Sequence, residues 1–373
     1  MISLFLISSL NIMIGLLMGL TPYISRKDIP FGVSIQATEE TNNYINRQKK
    51  SYLLLNVGLS LVLNSGIFLI SLLKSTVSED RLVYLSLFSL FVLLGVSLIT
   101  YISKHQQLKN YKKTLPVNHV ANKKVLVDLS FRNEKLIFPT SYLVAINLAF
   151  VLIAVIVTVL NYQQMPERIV TQWDFQMNPS NVTTKSWGSV MMLPMMQVFI
   201  TVVMAISNHS YLSAKQEIDQ NQPEVSAAKS KKFRKQSSLL NFVISILTQL
   251  LFLSIQFSMI FESISPQVVM VLSIVFTVLV IGLVLWFSLR YGQSGDRLKE
   301  GDVTDEATHI QKVASSSDEN WKLGMFYFNP KDPSFWVEKR MGIGMTFNFA
   351  KWQGWVFLIG VTILPLVLVY VMM

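Results

Sequence analysis

The sequence predicts an all-α membrane protein of about eight transmembrane helices, with both termini outside and a small aromatic-rich cytoplasmic module between helices 7 and 8. Two observations set the class. Half the chain is hydrophobic (51%), only 14% is charged, and mean hydropathy is +0.44, a balance of polytopic membrane proteins rather than soluble domains. Eight apolar runs recur along it, each long enough to cross about 30 Å of hydrocarbon at 1.5 Å per residue. A third observation orients the chain. Of 32 Lys and Arg, 28 fall in the odd-numbered loops, at Arg26 to Lys50, Lys104 to Lys135, Lys215 to Lys235 and Arg290 to Lys351. Only Lys74, Arg81, Arg168 and Lys185 lie in the even ones. Cytoplasmic loops retain Lys and Arg during insertion, so the odd loops are expected inside.

The runs are taken in order. Ile2 to Ile24 lacks a basic n-region and is followed by Arg26 and Lys27, which suits an uncleaved outside-to-inside anchor. Tyr52 to Leu73, Leu82 to Ser103, Phe138 to Asn161, Trp187 to Leu212, Ser237 to Phe261, Val268 to Tyr291 and Gly354 to Met372 follow. Tyr23, Tyr52, Tyr101, Tyr162, Trp187, Trp286, Trp352 and Trp355 stand near the ends, where aromatic rings meet headgroups. Pro194 interrupts the fifth run and predicts a kink or a hydrogen-bond gap that neighbours fill. Met191, Met192, Met195 and Met196 beside it read as adaptable packing rather than metal ligands. The domain reading is a three-helix segment over 1–137, a helix pair with its outer loop over 138–212, and a loop and helix pair over 213–292. An inner loop and interfacial module over 293–353 and a last helix over 354–373 complete it.

Little catalytic chemistry is visible. The absence of cysteine excludes disulfides and thiolate sites. Helix interiors contain no Asp, Glu, Lys or Arg, the usual mark of an ion-coupling site. Asn11, Asn56, Asn64, Asn147, Gln197, Gln249 and Gln256 remain at depth, and interhelical hydrogen bonding is their expected role. There is no His-Glu-x-x-His, no phosphate-binding loop and no metal spacing among the four His. The glycines of Lys339-Arg340-Met341-Gly342-Ile343-Gly344 lack the preceding strand of a nucleotide cradle. They read as a tight turn with Lys339 and Arg340 on lipid phosphate and Phe347, Phe349 and Trp352 at the interface. No enzyme activity, cofactor, metal or nucleic acid is expected; the +10 charge suits loops facing an anionic inner leaflet.

Two loops carry recognisable motifs. Met165-Pro-Glu-Arg-Ile-Val-Thr-Gln-Trp-Asp to Lys185 resembles a small domain of unknown function in bacterial membrane proteins, often joined to the SdpI-type domain of toxin-immunity proteins. Pro166, Ile169, Asp174 and Lys185 carry the resemblance, while Thr171-Gln172-Trp173 and Met177-Asn178 depart from it. The segment Trp321 to Asn348 is similar to a second uncharacterised domain of Gram-positive membrane proteins, W-x-L-G-x-x-Y-x-N-P-x-D-P followed by K-R-x-G-x-G-x-T-x-N. Trp321, Gly324, Tyr327, Asn329, Pro330, Asp332, Pro333, Lys339, Arg340, Gly342, Gly344, Thr346 and Asn348 carry that match. Each residue before proline is pushed out of helix, so Asn329-Pro330 and Asp332-Pro333 predict consecutive turns. Arg26 to Val33 is also typical of these proteins, and Phe31-Gly32-Val33 echoes Gly342-Ile343-Gly344.

These features imply a non-enzymatic protein of the bacterial plasma membrane, of immunity or envelope-sensing type. Pro166, Ile169, Trp173, Asp174 and Lys185 would meet a peptide toxin or signal outside, and the inner Trp321 to Trp355 module would hold conformation or meet a cytoplasmic protein partner. A transporter using the neutral amides, and a scaffold subunit of a membrane complex, are the alternatives.

Overall fold

The computed structural model of the chain describes residues 2–35, 38–73, 79–115, 124–128, 136–173, 177–215, 223–299, 301, 310–315 and 318–372. Eight helices carry it: α1 (Ile2–Ile24), α2 (Glu39–Leu73), α3 (Glu79–Thr114), α4 (Thr140–Asn161), α5 (Trp187–Ser213), α6 (Pro223–Ile260), α7 (Pro266–Tyr291) and α8 (Trp352–Met372). Among the described residues, seven of them, α2 to α8, are long and apolar enough to cross a membrane, while the apolar stretch of α1 is the shorter Ser8–Ile24. The chain is therefore a multi-pass helical membrane protein. Among the described residues, eight short strands accompany the helices: β1 (Lys124–Asp128), β2 (Arg168–Trp173), β3 (Pro179–Thr184), β4 (Ile310–Ser315), β5 (Trp321–Lys322), β6 (Phe326–Tyr327), β7 (Trp336–Glu338) and β8 (Met345–Phe347).

Three helices run well beyond their apolar stretches. The polar segments Glu39 to Ser51, Lys104 to Thr114 and Pro223 to Gln236, which the charge pattern assigns to loops, are continuous helix. Lys, Gln, Glu and Ala are good helix formers, and an already nucleated helix continues through them at little cost.

The chain forms two compact units. The first comprises residues 1–125, 313–328 and 339–343. In it α1 packs on α2 and α3. Asn11 Nδ2 donates to the Ser86 carbonyl (3.3 Å) and to Ser89 Oγ (3.0 Å), and Tyr52 and Ser97 share a hydroxyl hydrogen bond of 2.8 Å. After α1 the chain makes one turn of 3-10 helix, Pro30–Gly32, with Phe31 at φ 48° and Gly32 at φ 77°. The turn thrusts Phe31 into the core, 5.6 Å from the Tyr52 ring and 5.4 Å from Tyr101. Gly32 is required twice over: its φ is left-handed, and a Cβ there would collide with the backbone of Gly324.

The second unit comprises residues 126–312, 329–338 and 344–373. Helices α4, α5 and α6 form a three-helix bundle, with α7 against α6 and α8 against α5. A regular polar seam joins the antiparallel α5 and α6. Backbone carbonyls of Val190, Gln197, Met204 and Tyr211, spaced seven residues apart, accept from Gln256 Nε2 (3.0 Å), Gln249 Nε2 (3.1 Å), Asn241 Nδ2 (3.0 Å) and Arg234 Nη1 (2.8 Å). Seven residues make two helical turns, so each rung lies about 10 Å below the last. The Val190 rung has a particular cause. Its helical donor would be the amide of residue 194, and Pro194 has none. Gln256 fills that gap and donates to Thr158 Oγ1 as well (2.7 Å). Asn147 and Ser245 pair reciprocally at 3.2 Å between α4 and α6. Asn11, Asn147, Gln197, Gln249 and Gln256 bind helix to helix, the role expected of them, whereas Asn56 and Asn64 donate within α2 to the Tyr52 (2.8 Å) and Ser60 (2.6 Å) carbonyls.

Candidate functional site

The loop between α4 and α5 is a built hairpin. β2 pairs antiparallel with β3, from Arg168 opposite Thr184 to Trp173 opposite Pro179, with register shifts around Gln172. A two-stranded ribbon is marginally stable alone, so the base must hold it. Ile169 is 2% exposed and packs with Met165, Val190, Met259 and Ile260. Lys185 Nζ pairs with Glu167 (2.8 Å), donates to the Met165 carbonyl (3.0 Å) and lies 5.4 Å from the centre of the Tyr162 ring. That ring stacks on Trp187 at 4.0 Å, and Ser186 with Ser189 forms a capping box that starts α5. Beyond this base the ribbon is open: all of β3 except the half-buried Thr183 is exposed, and among the described residues both outer edges lack a neighbouring strand in the sheet.

The residues expected at this site thus divide. Ile169 and Lys185 are anchors, Pro166 is half-buried, and Trp173 is half-buried on the ribbon. Asp174 lies outside the described residues.

The Trp321 to Asn348 segment contributes to both units. In the first, β5 pairs with β6, which brings Trp321 (3% exposed) against Tyr327 at 5.2 Å. Gly324 has φ 73°, and a Cβ there would come 2.6 Å from His105 Nδ1, which itself donates to the Phe31 carbonyl (2.8 Å). Arg340 was expected on lipid phosphate. Instead it is 2% exposed, with Nη1 on Asp318 (2.6 Å) and on the Gly32 carbonyl (2.9 Å), its guanidinium 5.0 Å from the centre of the Trp321 ring. Lys112 Nζ (2.6 Å) and Ser34 Oγ (2.9 Å) complete the ring of donors around Asp318. A carboxylate with two cations and a hydroxyl satisfies Arg340 internally better than a wet headgroup would. Gly342 is left-handed at φ 74°, and its N–H donates to Ser25 Oγ (2.8 Å). Lys339 is exposed.

Burial pushes the Asp318 carboxyl up, but the Arg340 charge and the Lys112 hydrogen bond and charge outweigh it and hold its pKa below the usual value. The unfolded value is about 3.9. Stability from this cluster is therefore complete above about pH 4 and is lost as pH falls through the still lower folded value. Asp318→Asn is expected to lower the unfolding midpoint at pH 7 and to make its decline on acidification shallower. Parallel midpoint-against-pH curves for the two proteins would refute the assignment.

In the second unit the turns predicted at the two prolines are present. Asp332 N–H donates to the Asn329 carbonyl (3.3 Å) and Ser334 N–H to Asp332 Oδ1 (2.9 Å), with Pro330 and Pro333 exposed. Asn348, fully buried, organises them: its Oδ1 accepts from Asn329 N–H (3.0 Å) and its Nδ2 donates to the Asn329 carbonyl (2.8 Å). Asp332 pairs with Lys215 at 2.8 Å. Thr346 sits in β8 opposite Val337. Gly344 exchanges two hydrogen bonds with Gln293, at 2.7 and 3.0 Å. With both glycine amides taken by protein acceptors, the turn presents no phosphate cradle. Phe347, expected at the interface, is 7% exposed and packs among Phe335, Trp336, Phe349 and Phe357.

Several residues escaped the sequence reading. Asp318 lies in a stretch that reads as polar and flexible, and Lys112 and Arg234 lie in basic runs that read as inner-face charge. Arg234 and Glu338, 0% and 2% exposed at their side chains, pair at 3.0 Å, with Ser294 and Ser230 on the same carboxylate. An acidic residue beside the motif's Lys-Arg was the available signal.

Two family comparisons bear on these segments. Residues 149–198, from within α4 through the hairpin to within α5, match a domain of unknown function (DUF1648), consistent with membrane-associated families. Residues 330–355, from the turns through β7 and β8 to the start of α8, match a family of unknown function (DUF5808). No curated protein and no solved structure matches the chain.

Proposed function

We propose that this is a bacterial plasma-membrane protein of immunity or envelope-sensing type, in which the β2–β3 hairpin captures an extended peptide outside the cell. The observation that carries this reading is the hairpin itself: a ribbon fixed at its base by Ile169 and Lys185, with both edges and nearly all of β3 open. An open edge is a row of backbone donors and acceptors awaiting a strand, and strand addition is a general mode of peptide capture. The Lys and Arg distribution supports an outside position for the hairpin and an inside position for the Trp321 to Asn348 segment. The likeness of Pro166 to Lys185 to the domain often joined to SdpI-type immunity proteins points the same way. Of the amides that a transport reading needs, Asn147 and Gln256 are engaged in the α4–α6 and α5–α6 bonds, and Asn64 donates to the Ser60 carbonyl within α2.

The test compares growth of a deletion strain, its complemented parent and a strain carrying Trp173→Ala with Asp174→Ala against membrane-active peptides and bacteriocins. Protection from one agent by the parent protein, lost in the double variant with membrane insertion intact, is the expected result. Equal growth of all three strains against every agent would overturn the reading.

A further inference from the structure

Helices α5 and α8 leave a groove between them, and its walls say what it holds. Met195, Val202 and Ile206 line one side and Phe357, Gly360 and Leu368 the other, all without a polar side chain. Its volume is about 430 Å³, and one side lies open. From Met195 to Ile206, and from Phe357 to Leu368, it extends about 16 Å at 1.5 Å per residue. A polymethylene chain fills such a groove with carbon contacts near 4 Å and needs no polar partner. An extended peptide is excluded, because the walls offer no partner for its backbone amides.

Depth and surroundings narrow the source. The groove occupies the middle of both helices, where the surrounding solvent is hydrocarbon. At its Phe357 end, about 3 and 8 Å further along α8, Trp355 and Trp352 are 49% and 69% exposed, with Lys351 beside them. Exposed indoles and a cation are the usual neighbours of a headgroup. Gly360 opens the groove: no atom lies within 4 Å of where its Cβ would be.

We propose that the α5–α8 groove binds an acyl chain of a membrane phospholipid, its headgroup at the Trp352 end. The site is a discrete one, filled before the general lipid shell.

Full-length protein, purified in mild detergent and delipidated, is titrated with dioleoylphosphatidylglycerol, and bound lipids are counted by native mass spectrometry. The parent is expected to retain one phospholipid more tightly than the rest. Gly360→Leu and Val202→Phe fill the groove from opposite walls and should each weaken that lipid at least tenfold. Val278→Leu, on an exposed position of α7, should leave it unchanged. Gly360→Leu also replaces a helical glycine with a strong helix former, so the fold is expected to survive it. Retention of the tight lipid by both filled variants would overturn the proposal. Oleic acid binding as tightly as the phospholipid would also overturn it and assign the groove to free fatty acids.

Discussion

Glu338→Ala is expected to destabilise the second unit by about 3–5 kcal/mol, the usual cost of stranding one member of a buried ion pair. The Arg234 guanidinium is fully buried and cannot turn to water, and its Nη2 pairs with Glu338 at 3.0 Å. Ser294 and Ser230 would lose their acceptor at the same time. Glu338→Gln keeps an acceptor without the charge and should cost less. Adding Arg234→Met to Glu338→Ala removes the stranded charge and is expected to recover only part of the loss. Arg234 also donates to the Tyr211 and Ala214 carbonyls (2.8 and 2.9 Å), which close the end of α5, and methionine cannot. Unfolding midpoints of the four proteins in detergent decide the matter. A Glu338→Ala protein as stable as the parent would mean that the pair contributes nothing net.

This pair marks the border of what the sequence makes legible. The spans are plain in it because hydrocarbon demands unbroken apolar runs, and α4, α7 and α8 begin within two residues of the expected positions. Their polar extensions are not, since a Lys-rich helix and a Lys-rich loop have the same composition. Within the hairpin, Ile169 and Lys185 stand out through a resemblance, but their work as anchors depends on Val190, Met259 and Glu167, which no local pattern names. Arg340 shows the same limit in reverse. A basic residue beside glycines and aromatics near a span reads as a headgroup contact. Only the fold brings Asp318, 22 residues upstream, and Lys112, more than 200 residues upstream, to its side. Long-range polar pairing has no periodicity, so composition and spacing cannot report it.

The Pro194 gap gives a second large effect, because its two sides can be changed independently. Gln256→Leu removes the donor to the Val190 carbonyl and is expected to cost about 1–2 kcal/mol, between the average interhelical bond and a fully stranded buried acceptor. Pro194→Ala restores an amide at residue 194, which can bond the same carbonyl within α5. In the Pro194→Ala background, Gln256→Leu should therefore cost no more than about 0.5 kcal/mol, leaving a coupling of about 0.5–2 kcal/mol between residues 62 apart in sequence. Double-mutant unfolding in detergent measures that coupling directly. Strict additivity would mean that Val190 finds its donor elsewhere and that Gln256 serves Thr158 alone. With coupling, the proline and the glutamine form one device: the hydrogen-bond gap fixes where α6 docks, and α6 in turn seats Ile260 and Met259 beside Ile169 at the hairpin base.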